Sequence, residues 1–309
     1  MHFQYSQASA LSLKQLSYLL AVSETLNFTR AAELCFVTQS TLSGGIAELE
    51  RALGVQLVER DRQRVAITPV GAEVVQRARS ILSASQDLIA RAQMAADPAS
   101  GEFRLGIIPT IAPYALGNIL TQAKAQFPNL LLSVRESQTR VLLDEVEHGE
   151  LDAALIALPV ALGKLLALPL FEEQLQLVAH RNDPLGKGKP RRLADIDTRH
   201  MLLLEKGHCL RDHTVSACSA NSGKQGQGEA GQVEATNLNT MVQLVNAGIG
   251  CALLPDMAIE SGILNGTSVE LVPMLPPLPS REIALVTRAS HPRLAFIEEG
   301  LCSLIRPAE

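Results

Sequence analysis

The 309-residue sequence predicts an α/β protein in three successive parts. These are a small helical head closed by a β-hairpin (1–70), one long helix (71–98) and a two-lobed region of alternating strands and helices (99–309). Three observations carry that reading. Leu42, Ile46 and Leu49 fall at i, i+4 and i+7 in the third of three short helical patterns, which makes one buried stripe. Val74, Ile81 and Leu88 recur every seven residues in a single long helical run. Beyond Gly101, strand-like apolar runs alternate with amphipathic ones, as in α/β layers.

Composition narrows the class. With 47% hydrophobic and 19% charged residues and a formal net charge of −5, the chain can bury sizeable cores and is not a disordered polyelectrolyte. Cys35, Cys209, Cys218, Cys251 and Cys302 are odd in number and scattered except for one pair, unlike a secreted disulfide framework. Met1 to Ala10 has neither a basic start nor an apolar run, so no signal peptide is expected. Ala153 to Phe171 is apolar enough to resemble a membrane span, but Pro159, Gly163, Lys164 and Pro169 interrupt it. It is expected to form a strand, a crossover loop and another strand. A cytoplasmic protein without a membrane partner follows, in which a disulfide is transient or regulatory.

In the head, Leu13 to Ser23 and Thr29 to Cys35 read as helices. Phe36-Val37 is the turn and Thr38 the N-cap of a third helix to about Leu53. Gln39, Ser40, Ser43 and Ala47 face away from the buried stripe. Short hydrogen-bonding side chains on a first exposed turn suit base edges in a major groove. Val55 to Glu59 and Val65 to Thr68 read as strands around Arg60-Asp61-Arg62-Gln63-Arg64, a hairpin suited to flanking phosphates. A three-helix interaction module with a solvated charged turn is also open on pattern alone. Residues 1–70 hold six basic and six acidic side chains, so a head of this kind would bind DNA weakly on its own, and linked heads would supply the missing affinity.

Thr68-Pro69 opens the long helix, an N-cap followed by proline at the first helical position. It should run to about Ala96, before Pro98 and Gly101. Ala78, Ser85 and Ala92 follow each large heptad residue by four, giving a seam with a large and a small side. Pairing with a second copy would bury it, so a dimer is expected.

In the last region strands are expected at Phe103–Ile108, Leu130–Arg135, Ala153–Leu158, Met201–Leu204, Gln232–Thr236, Cys251–Leu254 and Glu282–Arg288, with a further segment near Leu175–His180. A final helix from about Pro292 to Ile305 should return with the last strand to complete the first lobe. Ligands in such sheets bind where strands end and helices begin. Thr110 follows the first strand and Thr139 opens the second helix, each placed to offer a hydroxyl in the cleft or simply to cap a helix.

The run Gly207-His208-Cys209-Leu210-Arg211-Asp212-His213-Thr214-Val215-Ser216-Ala217-Cys218 concentrates the chemistry. A thiol attacks as thiolate, which neighbouring cations favour. His208 and Arg211 flank Cys209, whereas Cys218 has no adjacent cation and suits a resolving role. If 210–218 is helical, the two Cα atoms lie roughly 13 Å apart, beyond the ~7 Å limit of a disulfide. The pair can then bond only after the segment unwinds. Buried packing cysteines, or a zinc site from Cys209, His213, Cys218 and His208, are alternatives that the run alone leaves open. Cys35, Cys251 and Cys302 read as packing.

Asn27-Phe28-Thr29-Arg30-Ala31-Ala32, Thr38-Gln39-Ser40-Thr41-Leu42-Ser43, Leu49-Glu50 and Leu53-Gly54-Val55-Gln56-Leu57-Val58-Glu59-Arg60 resemble the winged helix-turn-helix of LysR-type transcription regulators. Further runs resemble the peroxide-sensing branch of that family: Ile107-Ile108-Pro109-Thr110, Glu136-Ser137-Gln138-Thr139, Leu203 to Asp212 with Cys218, Ala235-Thr236-Asn237-Leu238 and Leu253-Leu254-Pro255. The resemblance implies a two-lobed, periplasmic-binding-protein-like α/β sensor after the winged head and linker helix. It implies Gln39, Ser40, Thr41 and Ser43 at double-stranded DNA, with Arg30, Arg60, Arg62 and Arg64 at phosphates. It implies hydrogen peroxide held by Thr110, Thr139, His208 and Arg288, with Arg211 and Asp212 shaping the surroundings of the thiol. Cys209 would attack peroxide and form a disulfide with Cys218, without a metal or cofactor. Assembly beyond a dimer to a tetramer and contact with RNA polymerase are implied as well, and an enzyme is not.

Two departures stand out. Gly45, Ala47 and Glu48 replace the Gln and basic residues common in related recognition helices. After Cys218 comes a Gly- and Gln-rich tract, Ser219 to Glu229, in which Ser219 replaces a family phenylalanine. That loss should loosen the reduced loop by about 1.5–3 kcal/mol. Two rival functions remain: a regulator that binds a small organic effector between Thr110 and Thr139 with incidental thiols, and a thiol peroxidase.

Overall fold

A computed structural model of the chain describes residues 11–60, 65–94, 97–186, 190–219 and 234–306. It divides into two compact units, residues 1–95 and 96–309.

In the first unit, Ser12 and Gln15 form a reciprocal capping box at the start of α1 (Leu13–Thr25). Asn27 caps α2 (Phe28–Leu34) by accepting from the amides of Thr29 and Arg30. The chain turns through Phe36, at φ +54° and 96% exposed, into α3 (Gln39–Leu53), capped by Thr38. Leu42, Ile46 and Leu49 are fully buried with Leu19 and Val22. Glu50 accepts from the amides of Leu57 and Val58 at 2.8 and 3.1 Å, tying α3 to the hairpin. That hairpin pairs β1 (Val58–Arg60) with β2 (Val65–Ile67) in antiparallel fashion. Its tip, with Arg62 and Arg64, lies outside the described residues.

Helix α4 (Pro69–Met94) starts on Thr68, whose hydroxyl accepts from the Gly71 amide at 2.9 Å. A Cβ on Gly71 would lie 2.2 Å from the Leu57 carbonyl oxygen, so only glycine lets the helix approach the hairpin this closely. The expected seam is redistributed. Val75 and Ala78 are buried in the core of the head and Val74 is half-buried against it. Ile81, Leu88 and Ile89 remain exposed at 46, 69 and 56%. Ala78 of the small side therefore packs inward, and Ile81, Leu88 and Ile89 form the apolar strip left uncovered.

The second unit begins with β3 (Gly101–Ile107), α5 (Ala112–Gln126), β4 (Leu130–Glu136), α6 (Thr139–His148) and β5 (Ala153–Leu158). The apolar stretch that resembled a membrane span crosses after β5 and continues as one long strand, β6 (Leu165–His180). Then follow β7 (Leu203–Leu204), α7 (Cys209–Ser219), β8 (Glu234–Ala235), α8 (Leu238–Asn246), β9 (Ala252–Pro255), α9 (Asp256–Glu260) and β10 (Val269–Leu271). The chain returns as β11 (Ser280–Arg288). It closes with α10 (Leu294–Phe296), a π-helical turn at Ile297–Leu301 and α11 (Cys302–Ile305). The single final helix expected from sequence is thus broken. A Cβ on Gly300 would lie 2.9 Å from the Phe296 ring, so glycine admits the close approach of that ring at the wider π-turn.

Strands β3, β4 and β5 are parallel, and β11 inserts antiparallel between β5 and β6. The first half of β6 pairs with β11, and its second half pairs with β9 and β10. One strand therefore runs through both lobes. Phe103, Ile107, Leu155, Leu285 and Leu301 fill the first core; Leu177, Leu204, Met241 and Leu253 fill the second. Helix α9 and strand β10 were not foreseen. Among the described residues, no helix is long and apolar enough to cross a membrane.

Candidate functional site

The two cores meet at the start of α7. Cys209 opens the helix, is 9% exposed and belongs to the first core, while the next residue, Leu210, belongs to the second. The loop before it rests on the other lobe. Gly207 has φ +103°, and a Cβ there would meet the Gln138 side chain at 2.3 Å. Gln138 immediately precedes Thr139, the buried first residue of α6. The fold thereby brings the loop before His208 and Cys209 against Gln138, the neighbour of Thr139, two regions that sequence could only nominate separately.

Thr110 is 2% exposed and accepts a hydrogen bond from Arg281 Nη1 at 2.8 Å. Arg281 is itself buried and paired with Glu173, Nε to Oε2 at 2.7 Å. Glu173 in turn accepts from the Met257 amide at 3.0 Å. A buried ion pair survives only when such hydrogen bonds satisfy both partners. Tyr114 lies close to this group. Burial pushes its phenol up to about 12 despite the Arg281 charge, so the hydroxyl stays protonated.

The cation expected in the pocket was Arg288, and the structure places it elsewhere. Arg288 is the last residue of β11 and donates to the carbonyls of Val146, in the last turn of α6, and Leu151, just after it, at 2.7 and 3.0 Å. Because β11 runs antiparallel to β5, its first residues lie where β3 and β5 end, so Arg281 reaches Thr110. Strand direction was the missing information. The sequence signal for Arg281 was only its place at the start of an apolar run, and Glu173 had none.

The surroundings of the thiol also differ from expectation. Arg211 donates to the Leu204 carbonyl at 2.8 Å and to Glu234 at 2.7 Å, so its charge is committed to β7 and β8 rather than to Cys209. His208 is buried, and burial outweighs the pull of Glu205, lowering its pKa and favouring the neutral ring. Asp212 is exposed. Cys218 lies in α7, nine residues after Cys209, with its side chain outside the described set. At about 1.5 Å per residue their Cα atoms stand roughly 13 Å apart. Cys251 and Cys302 are buried and Cys35 is half-buried, none of them in a disulfide. Among the described residues, no three His, Cys, Asp or Glu side chains are grouped to hold a metal ion.

On the head, Gln39, Ser40 and Thr41 are exposed on the first turn of α3, and Ser43 is half-buried. The hydroxyls of Ser40 and Thr41 lie 2.9 and 2.8 Å from that of Thr38, which pre-orients both. Arg30 is exposed on α2. Arg60 ends β1, with its side chain outside the described set. One departure from related recognition helices has a steric origin: a Cβ on Gly45 would lie 2.7 Å from the buried Tyr18 ring.

Comparison with known proteins agrees with this anatomy. Residues 13–72 match the bacterial regulatory helix-turn-helix protein, lysR family, and residues 96–299 match the LysR substrate binding domain. The chain is 44% identical over 285 residues to the HTH-type transcriptional regulator EstR of Acinetobacter baylyi, covering 92% of this chain and 93% of the relative. It is 36% identical to the hydrogen peroxide-inducible genes activator of Dickeya chrysanthemi, covering 91% of each. Among solved structures, a full-length OxyR variant from Pseudomonas aeruginosa superimposes with a TM-score of 0.77 at 32% identity, covering 97% of this chain and 96% of the other. A helix-turn-helix head and a two-lobed α/β unit, each matched along its length, show that the chain belongs to the LysR family of DNA-binding transcription regulators, which are not enzymes.

Proposed function

We propose that this regulator senses hydrogen peroxide through Cys209 and Cys218 in the cytoplasm. The observation that carries the reading is α7 itself. It starts with a buried thiol at the junction of two lobes, beside the Thr139 and Arg281–Thr110 side, and carries a second thiol too far away to bond while helical. Attack of the Cys209 thiolate on one peroxide oxygen breaks the O–O bond and gives a sulfenic acid and hydroxide, which a proton converts to water. The Cys218 thiol then displaces water from the sulfenic acid to form the disulfide. Thr110, Thr139 and His208 hold the peroxide, with Arg281 in the place expected for Arg288. The relative named as peroxide-inducible and the OxyR structure support the same reading.

Unwinding of α7 alters how sensor units pack, and so the spacing of the heads on DNA. Gln39, Ser40, Thr41 and Ser43 read base edges, while Arg30, Arg60, Arg62 and Arg64 neutralise phosphates. A dimer forms through the apolar strip of α4, two dimers make a tetramer, and RNA polymerase is the downstream partner. The test is DNA footprinting of reduced and peroxide-treated protein with mass spectrometric mapping of thiols. A changed footprint with a dominant Cys209–Cys218 bridge is expected, absent in Cys209→Ser and replaced by sulfenic or overoxidised Cys209 in Cys218→Ser. An unmodified Cys209 in a responsive protein would sink the proposal.

A second reading keeps the architecture and assigns the cleft to a small organic effector. The buried Thr110 and Thr139 hydroxyls suit a small polar ligand, and the 44%-identical relative bears no peroxide in its name. A footprint that answers to a small organic molecule and not to peroxide would select it.

A further inference from the structure

Helix α7 carries one more titratable side chain that the peroxide chemistry leaves unused. His213 follows Cys209 by one turn, on the same face of the helix, and is 9% exposed. Both ring nitrogens are sealed from solvent without a hydrogen bond. Three elements face the ring. Asp212 lies beside it on α7 and Arg281 reaches it from β11. The Leu158 carbonyl ends β5, near enough to favour the protonated ring yet outside hydrogen-bonding geometry. Arg281 is anchored by Glu173 and Thr110 and cannot swing away. Burial first, and Arg281 second, lower the imidazole pKa from its ordinary value. Reduced α7 therefore holds a neutral, unsatisfied imidazole, and a buried polar group without a partner destabilises the conformation that buries it.

We propose that His213 is a proton-sensitive catch on the helical, reduced state of α7, so that acid favours the unwound, disulfide-bonded state. The inference rests on the Cys209–Cys218 bridge proposed above. Bridging draws together two Cα atoms that the helix holds apart, and His213 sits in the middle of that segment, so unwinding delivers its ring to water. In the unwound state the ring titrates near its ordinary pKa of about 6.5; in the helix it titrates lower. Below about pH 6.5 the unwound state binds the extra proton. The helix is thus fully favoured above that pH and loses ground as pH falls toward the depressed value. The bridge itself forms by loss of two electrons and two protons from the thiols, taken up by peroxide as it becomes two waters. That exchange is common to wild type and to variants at residue 213, so it cancels in their comparison.

The experiment is a thiol–disulfide titration of the full chain in glutathione buffers at pH 7.5, 6.5 and 5.5, read by alkylation and mass spectrometry. Between pH 7.5 and 5.5 the oxidised-to-reduced ratio of wild type should rise up to about tenfold relative to His213→Gln, which is about 30 mV. Parallel behaviour of the two proteins would overturn the catch. Because the variant could be misfolded, the ring of His213 is also followed by NMR in wild type, where its pKa should be lower in the reduced than in the oxidised protein. Equal values overturn the proposal. A third arm separates it from the sensing mechanism: hydrogen exchange of α7 in reduced Cys218→Ser, corrected for intrinsic rates. Protection that falls with acid in this variant, and not when His213→Gln is added, supports the catch even if no bridge ever forms. Unchanged protection overturns it, and a missing bridge in the first arm counts against the sensing mechanism.

Discussion

At the scale of single residues, the two arginines of β11 have opposite roles, and substitution separates them. Arg281→Ala strands Glu173 as a buried charge and should cost about 3–5 kcal/mol of stability, measurable by urea denaturation, together with most of the peroxide response. Arg288→Ala removes the hydrogen bonds to the Val146 and Leu151 carbonyls at the carboxyl-terminal end of α6. It should cost about 1–3 kcal/mol and leave the rate of Cys209 oxidation within a few-fold of wild type. A second residue-level effect concerns acid. Burial alone would raise the pKa of Asp152, but hydrogen bonds from His291 and Arg104 and the Arg104 charge hold it well below the usual carboxylate range. Its contribution is complete above about pH 4 and is lost as pH falls from there toward the depressed folded value. Asp152→Asn should therefore be less stable than wild type at pH 7 and flatten the loss of stability between pH 4 and pH 2. An unchanged acid limb would remove this assignment. Thr110 and Thr139 were legible as site candidates because they lie after a strand and at the start of a helix, and His208 because it adjoins Cys209. Arg281 was not, because its position depends on strand order and direction, which residue type does not encode.

The elements themselves were largely readable, since capping and periodicity are local. Thr38 and Thr68 each mark a helix start that the structure reproduces, and the helix expected from Thr29 starts at Phe28. What local patterns missed were features set by neighbours: the fusion of two expected segments into β6, and the π-turn at Gly300. The inward turn of Ala78 on α4 belongs with them. The uncovered strip of α4 predicts the behaviour of one variant. Ile81→Glu places a charge in the large side of the seam and should shift the protein toward monomer in sedimentation. It should weaken operator binding by the effective-concentration factor, roughly 10²–10⁴. An unchanged sedimentation profile would remove the dimer argument. On α2 and α3 the expected effects divide by chemistry. Gln39→Ala should reduce discrimination between operator and random DNA by about 1–3 kcal/mol. Arg30→Ala should weaken binding to both and reduce the salt slope by about one. Identical profiles for the two would mean that the roles are wrongly divided.

For the whole molecule, the sequence made two lobes and a returning carboxyl-terminal segment visible, because apolar runs alternate up to Ile305. It did not reveal how the lobes are joined. A shared strand is a long-range pairing decision, and its registers are settled by partners far away in sequence, as Ser280 opposite Gln174 and Val269 opposite His180 show. The placement of β11 bears on how the protein is made. Strands β3, β4, β5 and the first half of β6 leave the ribosome long before the strand that must sit between β5 and β6. Until Ser280–Arg288 emerges, both flanking edges are open, with apolar side chains on each, and an open edge is a template for pairing with another chain. The second lobe is built from one continuous stretch and closes first. Nascent chains halted before residue 280 should therefore carry a folded second lobe beside an unfinished first one, and this interval is when chaperones are most needed.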